Sequence, residues 1–147
     1  NDGAAALVLT TPEKARERGL EPMVHVRSFA VAAADPTLTY PAVPAAVNKA
    51  LKKASLHIGQ IDLIEIQEAF AAQALADAKL MGLGEEDLDK KVNVNGSGIS
   101  LGHPIGATGS IRLTTLIHEM IRQGAHYGLL TICGGGGLGI CAILERK

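Results

Sequence analysis

Three short stretches of this chain place an imidazole, a thiol and a side-chain amide where they could act on a substrate. His103 lies in residues 95–109, Asn-Gly-Ser-Gly-Ile-Ser-Leu-Gly-His-Pro-Ile-Gly-Ala-Thr-Gly, a run dense in glycine. Glycines let the backbone approach a ligand closely, and a neutral imidazole can donate one hydrogen bond while accepting another. The alternative is a buried histidine satisfied by the backbone of a tight turn. Cys133 stands at the end of an apolar run and directly before Gly134, Gly135, Gly136 and Gly137. A bare glycine turn leaves a sulfur accessible and puts backbone N–H groups beside it, and such groups can hold a developing oxyanion. Cys141, flanked by Ile140, Ala142 and Ile143, reads as a small buried hydrophobe. Gln67 opens Gln67-Glu68-Ala69-Phe70 after the apolar residues 61–66. The end of a strand in an α/β sheet is where ligands usually bind. Glu68 there also suits the first turn of a helix through the helix dipole.

The elements that must hold these groups follow from periodicity. Leu113, Leu116, Ile117, Met120 and Ile121 recur at helical spacing after the His103 loop, and Gly124 stands where that helix should stop. His103 is therefore expected where a loop turns into a helix N-terminus. Residues 23–34 are rich in β-formers, and residues 41–44, preceded by Tyr40, read as a proline-punctuated loop. The next helix carries Val47, Ala50, Leu51 and Ala54 on one face and Lys49, Lys52 and Lys53 outside, with Gly59 breaking it. Residues 61–66 read as a strand and 68–80 as a helix stopped by Gly82. The acidic residues 85–89 read as a solvated turn, and residues 92–94 as a short extended lead into the His103 loop. Residues 129–133 and 138–144 form a hairpin pattern around the glycines. Gly134, Gly136 and Gly139 match a dinucleotide fingerprint by spacing, but that motif needs a helix next, and a β-rich run follows.

At the other end, residues 4–9 are apolar and strand-like, and Thr11-Pro12 reads as a cap opening a helix that ends at Gly19. A terminal strand needs a sheet to join. Residues 1–22 are thus expected to close an upstream domain, and residues 23–147 to form a domain of their own. Alternating strands and helices ending in a hairpin give an α/β class with a mixed sheet.

Bulk properties narrow the function. The chain has 147 residues, 47% of them hydrophobic, enough for one sizeable core. A net charge of −1 offers no polyanion-coating surface, so nucleic acid is not an expected partner. No apolar run reaches the roughly 18 residues of a membrane span. Two cysteines fit a reducing compartment, with the cytoplasm the expected location.

Taken together, residues 94–109 with Leu101-Gly102-His103-Pro104, and Cys133-Gly134-Gly135-Gly136, resemble the thiolase family, which makes and cleaves 3-ketoacyl-coenzyme A thioesters. Residues 1–9 resemble the segment that closes the family's N-terminal domain, and residues 23–147 its C-terminal domain. The resemblance implies a thiolase-like layered α/β fold with a mixed five-stranded sheet flanked by helices. It implies an acyltransferase with coenzyme A and acyl-CoA as substrates, no covalently bound cofactor and no metal. The nucleophilic cysteine would come from an N-terminal thiolase half, and the complete protein would be a homodimer or homotetramer. By the resemblance, His103 would activate that nucleophile and Cys133 would be the acid/base. Gln67 and the Gly135 N–H would form an oxyanion hole, with Phe70 contacting substrate. Gln67 departs from the asparagine common at this place and adds a methylene. A non-catalytic acyl-CoA or lipid-binding module with the same fold is the alternative, although a pure binder has no use for an acid/base thiol.

Overall fold

The computed structural model describes residues 1–38 and 41–147. Tyr40, expected in a loop, lies outside the described residues. These residues build one four-stranded mixed sheet between two helical layers. The strands are β1 (His25–Ala33), β2 (Leu63–Ile66), β3 (Tyr127–Gly134) and β4 (Leu138–Glu145), in the order β1-β4-β3-β2. β4 runs antiparallel to both β1 and β3, while β2 and β3 are parallel.

The five-stranded sheet implied by the resemblance is four-stranded here, and residues 92–94, read as a lead into the His103 loop, add no strand to it. They make a single parallel bridge, Ile64 to Val92. The cause is local: Asn93 takes a left-handed φ of 49°, which no extended strand can continue through. Residues 4–9 join no strand of this sheet and leave Val8 and Leu9 in solvent.

The helices are α1 (Pro12–Glu17), α2 (Ala42–Ala54), α3 (Ala71–Leu80), α4 (Glu85–Lys90), α5 (Gly98–Leu101) and α6 (Thr108–Gln123). Thr11 caps α1 through its side chain, 3.3 Å from the Lys14 N–H. Residues 42–44 are helix, not loop, because Pro44 falls in the first turn of α2, where a missing N–H costs nothing. α2 ends at Ser55, in a left-handed conformation, four residues before Gly59. The acidic residues form α4, their carboxylates filling its first turn, where the helix dipole favours negative charge. Residues 68–70 stay outside α3. Gly124 ends α6 at φ 71°, as its position predicted.

Alternation along the strands sorts the core into two halves. Ile64, Ile66, Leu129, Cys141 and Ile143 pack with Val43, Val47 and Ala50 of α2 and Ala78 of α3. Leu63, Leu130 and Leu144 pack with Leu116 and Met120 of α6 on the opposite face. The contact between β4 and α2 is close enough to demand glycine. A Cβ on Gly139 would collide with the Ala42 carbonyl and come within 2.8 Å of the Val43 nitrogen. Gly139→Ala is expected to lower stability by about 1–3 kcal/mol, the usual scale of overpacking. Urea denaturation checks this; an unchanged midpoint would show that the helix yields freely.

Candidate active site

The site lies beyond the carboxyl ends of the two parallel strands. β2 delivers Gln67 one residue after its last member, and the Gln67 N–H donates to the Thr131 carbonyl of β3 at 3.0 Å. Two residues later on β3 stands Cys133, followed by the glycine turn.

The glycine-rich loop is fastened to the end of β2. Asn93 uses its side chain as a substitute strand: its Oδ1 accepts the Ile66 N–H at 2.8 Å, and its Nδ2 donates to the Ile66 carbonyl at 3.0 Å. Ser97, fully buried, donates its hydroxyl to the same carbonyl at 2.9 Å. Glu68 accepts from Asn93 Nδ2 at 3.1 Å with one oxygen and from the Ile99 N–H at 3.2 Å with the other. Glu68 is thus a tether between β2 and the loop, not a first-turn residue of α3. Gly98 must lack a Cβ, which would collide with the Gln67 amide and lie 2.6 Å from the Glu68 carbonyl.

From the other side, α6 holds the loop with a buried guanidinium. Arg112, 1% exposed, donates to the Gly96 carbonyl at 3.4 Å and the Gly102 carbonyl at 3.3 Å. Asn95 donates to Glu119 of the same helix at 3.1 Å. Glu65 is buried on this face of β2, and burial pushes its carboxyl up to about 7, against the pull of Arg112. At the loop's end, Asn1 accepts the His103 backbone N–H at 3.2 Å.

His103 itself is oriented by the first residue of α6. Its Nδ1 lies 2.8 Å from the Thr108 hydroxyl, and that hydroxyl donates to the Pro104 carbonyl at 3.0 Å. A hydroxyl has one proton to give. With it directed to Pro104, Thr108 offers the ring only lone pairs, and in that arrangement Nδ1 carries the imidazole proton. Nε2 is then the acceptor, the nitrogen a general base needs free.

The Gln67 side chain is 1% exposed, and neither its Nε2 nor its Oε1 finds a protein partner. Such an amide is costly unless something bonds to it. Cys133 is partly buried and packs on the α2/α3 side of the sheet, the side opposite α6. Burial raises its thiol above the ordinary value, and the nearby Asp77 raises it further. Cys141 is buried, with its thiol pushed up to about 12 by burial, and both cysteines are free. Gly135 lies open in the turn, and Phe70 is exposed on the loop before α3.

The structure therefore brings Gln67 against the His103 loop and sets Cys133 at the same end of the sheet. Among the described residues no side-chain hydrogen bond joins His103 to Cys133. Pattern reading passes over Asn93, Thr108 and Arg112. The signal for Asn93 is a short polar residue interrupting an apolar run, the residue type that best tolerates a left-handed turn.

Residues 20–146 match the family model described as Thiolase, C-terminal domain. The chain belongs to the thiolase family. It is 47% identical over 146 residues to an acetyl-CoA acetyltransferase of Chromobacterium violaceum, covering 99% of this chain and 36% of the relative. It is 49% identical over 147 residues to a 3-ketoacyl-CoA thiolase of Klebsiella pneumoniae, covering 99% of this chain and 38% of that one. The chain thus spans little more than a third of the length of these relatives. Among solved structures, the acetyl-CoA acetyltransferase of Bacillus anthracis superposes with a TM-score of 0.87 at 43% identity. Human mitochondrial 3-ketoacyl-CoA thiolase does so with a TM-score of 0.87 at 35% identity. Each superposition covers 93% of this chain and 34% of the other. The layered α/β thiolase fold is shared, with a four-stranded sheet in this domain. Among the described residues no helix is long and apolar enough to cross a membrane.

The buried carboxyl of Glu65 gives this thiolase domain a pH dependence of stability. Its folded value of about 7 stands above the ordinary 4.5, so folding favours the protonated form. Its contribution is intact below about 4.5 and is lost as pH rises through about 7. Glu65→Gln should shrink the loss of stability between about pH 5 and pH 8 by roughly 2–3 kcal/mol. Denaturation curves across that range check it, and an identical slope in the variant would contradict it.

Proposed function

We propose that this domain supplies the acid/base half of a thiolase, transferring acyl groups between coenzyme A thioesters. The observation that carries the reading is His103, its Nδ1 held 2.8 Å from the Thr108 hydroxyl at the start of α6, in a chain of the thiolase family. An N-terminal thiolase half brings the nucleophilic cysteine. His103 Nε2 takes the proton from that thiol as it attacks the substrate carbonyl. In thiolysis of a 3-ketoacyl-CoA, the carbon–carbon bond then breaks toward an enolate, and Cys133 gives its proton to the enolate carbon. In condensation, the Cys133 thiolate removes the α-proton of the second acyl-CoA.

A thiol that burial keeps protonated in the resting site suits the donor role in thiolysis. The enolate and tetrahedral oxygens need fixed donors. The buried Gln67 amide, with both polar atoms unpartnered, and the Gly135 N–H fill that role. Phe70 offers an apolar ring to the acyl-CoA at the mouth of the site. Fatty-acid metabolism, a cytoplasmic setting and a homodimer or homotetramer complete the reading. Residues 1–22 in this account close the N-terminal domain, and Asn1 already touches the His103 loop.

The test is thiolysis of a 3-ketoacyl-CoA by the natural polypeptide that carries this sequence. Cys133→Ala should cut kcat by about 10²–10⁴, the range of a lost acid/base group. Gln67→Ala should cut kcat/KM by roughly 10², the scale of a lost oxyanion donor. Wild-type rates in Cys133→Ala would remove the acid/base assignment, and a fully active Gln67→Ala would remove the oxyanion role.

A further inference from the structure

Four consecutive glycines, Gly134, Gly135, Gly136 and Gly137, join β3 to β4, and the proposed reaction needs the N–H of Gly135 held in place. Glycine has more backbone freedom to lose on folding than any other residue, so such a run does not fix its own path. The pairing of Gly134 with Leu138 closes the turn from within the hairpin. Beyond that pair its tip stands free: a Cβ on Gly135 or Gly136 would meet nothing within 4 Å.

Gly137 is different, because the chain leaving β1 lies against it, backbone to backbone. The Ala34 N–H donates to the Gly137 carbonyl at 2.8 Å, among the described residues the one backbone hydrogen bond that reaches the turn from outside the hairpin. Gly137 has a φ of 79°, and a Cβ there would collide with the Ala34 carbonyl oxygen and lie 3.0 Å from Pro36 Cα.

The abutting segment is stiff where the glycines are loose. Asp35-Pro36-Thr37-Leu38 is a turn closed by the Leu38 N–H on the Asp35 carbonyl at 2.9 Å. Pro36 takes its second position, where a ring that locks φ at about −65° is preorganised, and it confines the preceding Asp35 as well. The Asp35 side chain ties the other half: its Oδ1 accepts the Thr37 N–H at 2.9 Å and the Thr37 hydroxyl at 2.7 Å.

We propose that the Asp35–Leu38 turn is a positioning element for the reaction: through the contact of Ala34 and Pro36 with Gly137 it holds the glycine turn, and with it the Gly135 N–H, in one place. The inference rests on the reading of that N–H as an oxyanion donor. A donor fixed before the charge develops costs no reorganisation at the moment of reaction, and a wandering turn forfeits that advantage. Asp35 and Pro36 are exposed, so altering them leaves the core intact.

The test compares Pro36→Gly, Asp35→Ala and Asp35→Asn in the natural polypeptide. Nitrogen relaxation with labelled glycine reads the turn itself. Order parameters of Gly135 and Gly137 should be about 0.85 in the wild type and fall below about 0.6 in Pro36→Gly, with a smaller fall in Asp35→Ala. Asp35→Asn keeps an acceptor for Thr37 and should match the wild type. Gly128, packed on Met120 and Leu116 of α6, is the reference and should stay rigid throughout. In thiolysis, Pro36→Gly should lower kcat and kcat/KM together by roughly three- to tenfold with KM unchanged, the signature of an interaction made only in the transition state.

Unchanged order parameters in Pro36→Gly, a loss of order that extends to Gly128, or a mobile turn with wild-type kcat would each overturn the proposal. Turnover in the wild type with an unresponsive turn leaves the acyl-transfer reading intact. A wild type without thiolysis removes that reading, and the relaxation data then decide by themselves whether the exit of β1 holds the turn.

Discussion

The backbone of Ile66 is the anchor on which the candidate active-site end of this domain depends. Its N–H and carbonyl face the edge of the sheet, where no fifth strand arrives. Asn93 satisfies both groups with one side chain, and Ser97 adds a second donor to the carbonyl. A true strand at this place would have carried residues 92–94 straight on along the sheet. The left-handed turn at Asn93 instead throws the chain across the end of β2, and everything from Asn95 to Thr108 is laid over the site as a result. An edge hydrogen-bonded by side chains is also closed to further strand pairing.

Buried charge is the second organising feature. Arg112 binds the carbonyls of Gly96 and Gly102, the two ends of the glycine-rich segment before His103. Glu65 of β2 is buried on the same face, its carboxyl raised to about 7 by burial against the pull of Arg112. Arg112 Nε and Glu65 Oε2 both lack a protein partner, so this is a costly arrangement and not a source of stability. What it supplies is a fixed loop path, and with it the position of the imidazole. Preorganisation of this kind is where acid/base sites obtain their rate, because a ring misplaced by about 1 Å can cost 10²-fold.

Much of this was legible in the sequence because it follows from local rules. The α6 stripe, the Thr11 cap, the terminal hairpin and the glycine loop with His103 are short-range patterns, and the structure follows them. The errors have equally physical causes. The resemblance implies a five-stranded sheet, but at residues 92–94 one asparagine with positive φ leaves only a single bridge beside β2. Ser55 ends α2 ahead of Gly59 because the left-handed position falls there. Glu68 looks like a first-turn residue, yet its partners, Asn93 and Ile99, lie 25 and 31 residues away. Arg112 and Glu65 could not be read at all, since their roles depend on burial created by other elements.

The central claim is that Thr108 leaves His103 Nε2 as the proton acceptor, and nitrogen NMR of the imidazole tests it most directly. In the neutral ring, observed at about pH 8.5, the account predicts the proton on Nδ1 and an unprotonated Nε2, with Thr108→Val shifting the balance toward the other tautomer. A neutral His103 carrying its proton on Nε2 in the wild-type protein would contradict the account, because that nitrogen could then accept nothing from an attacking thiol.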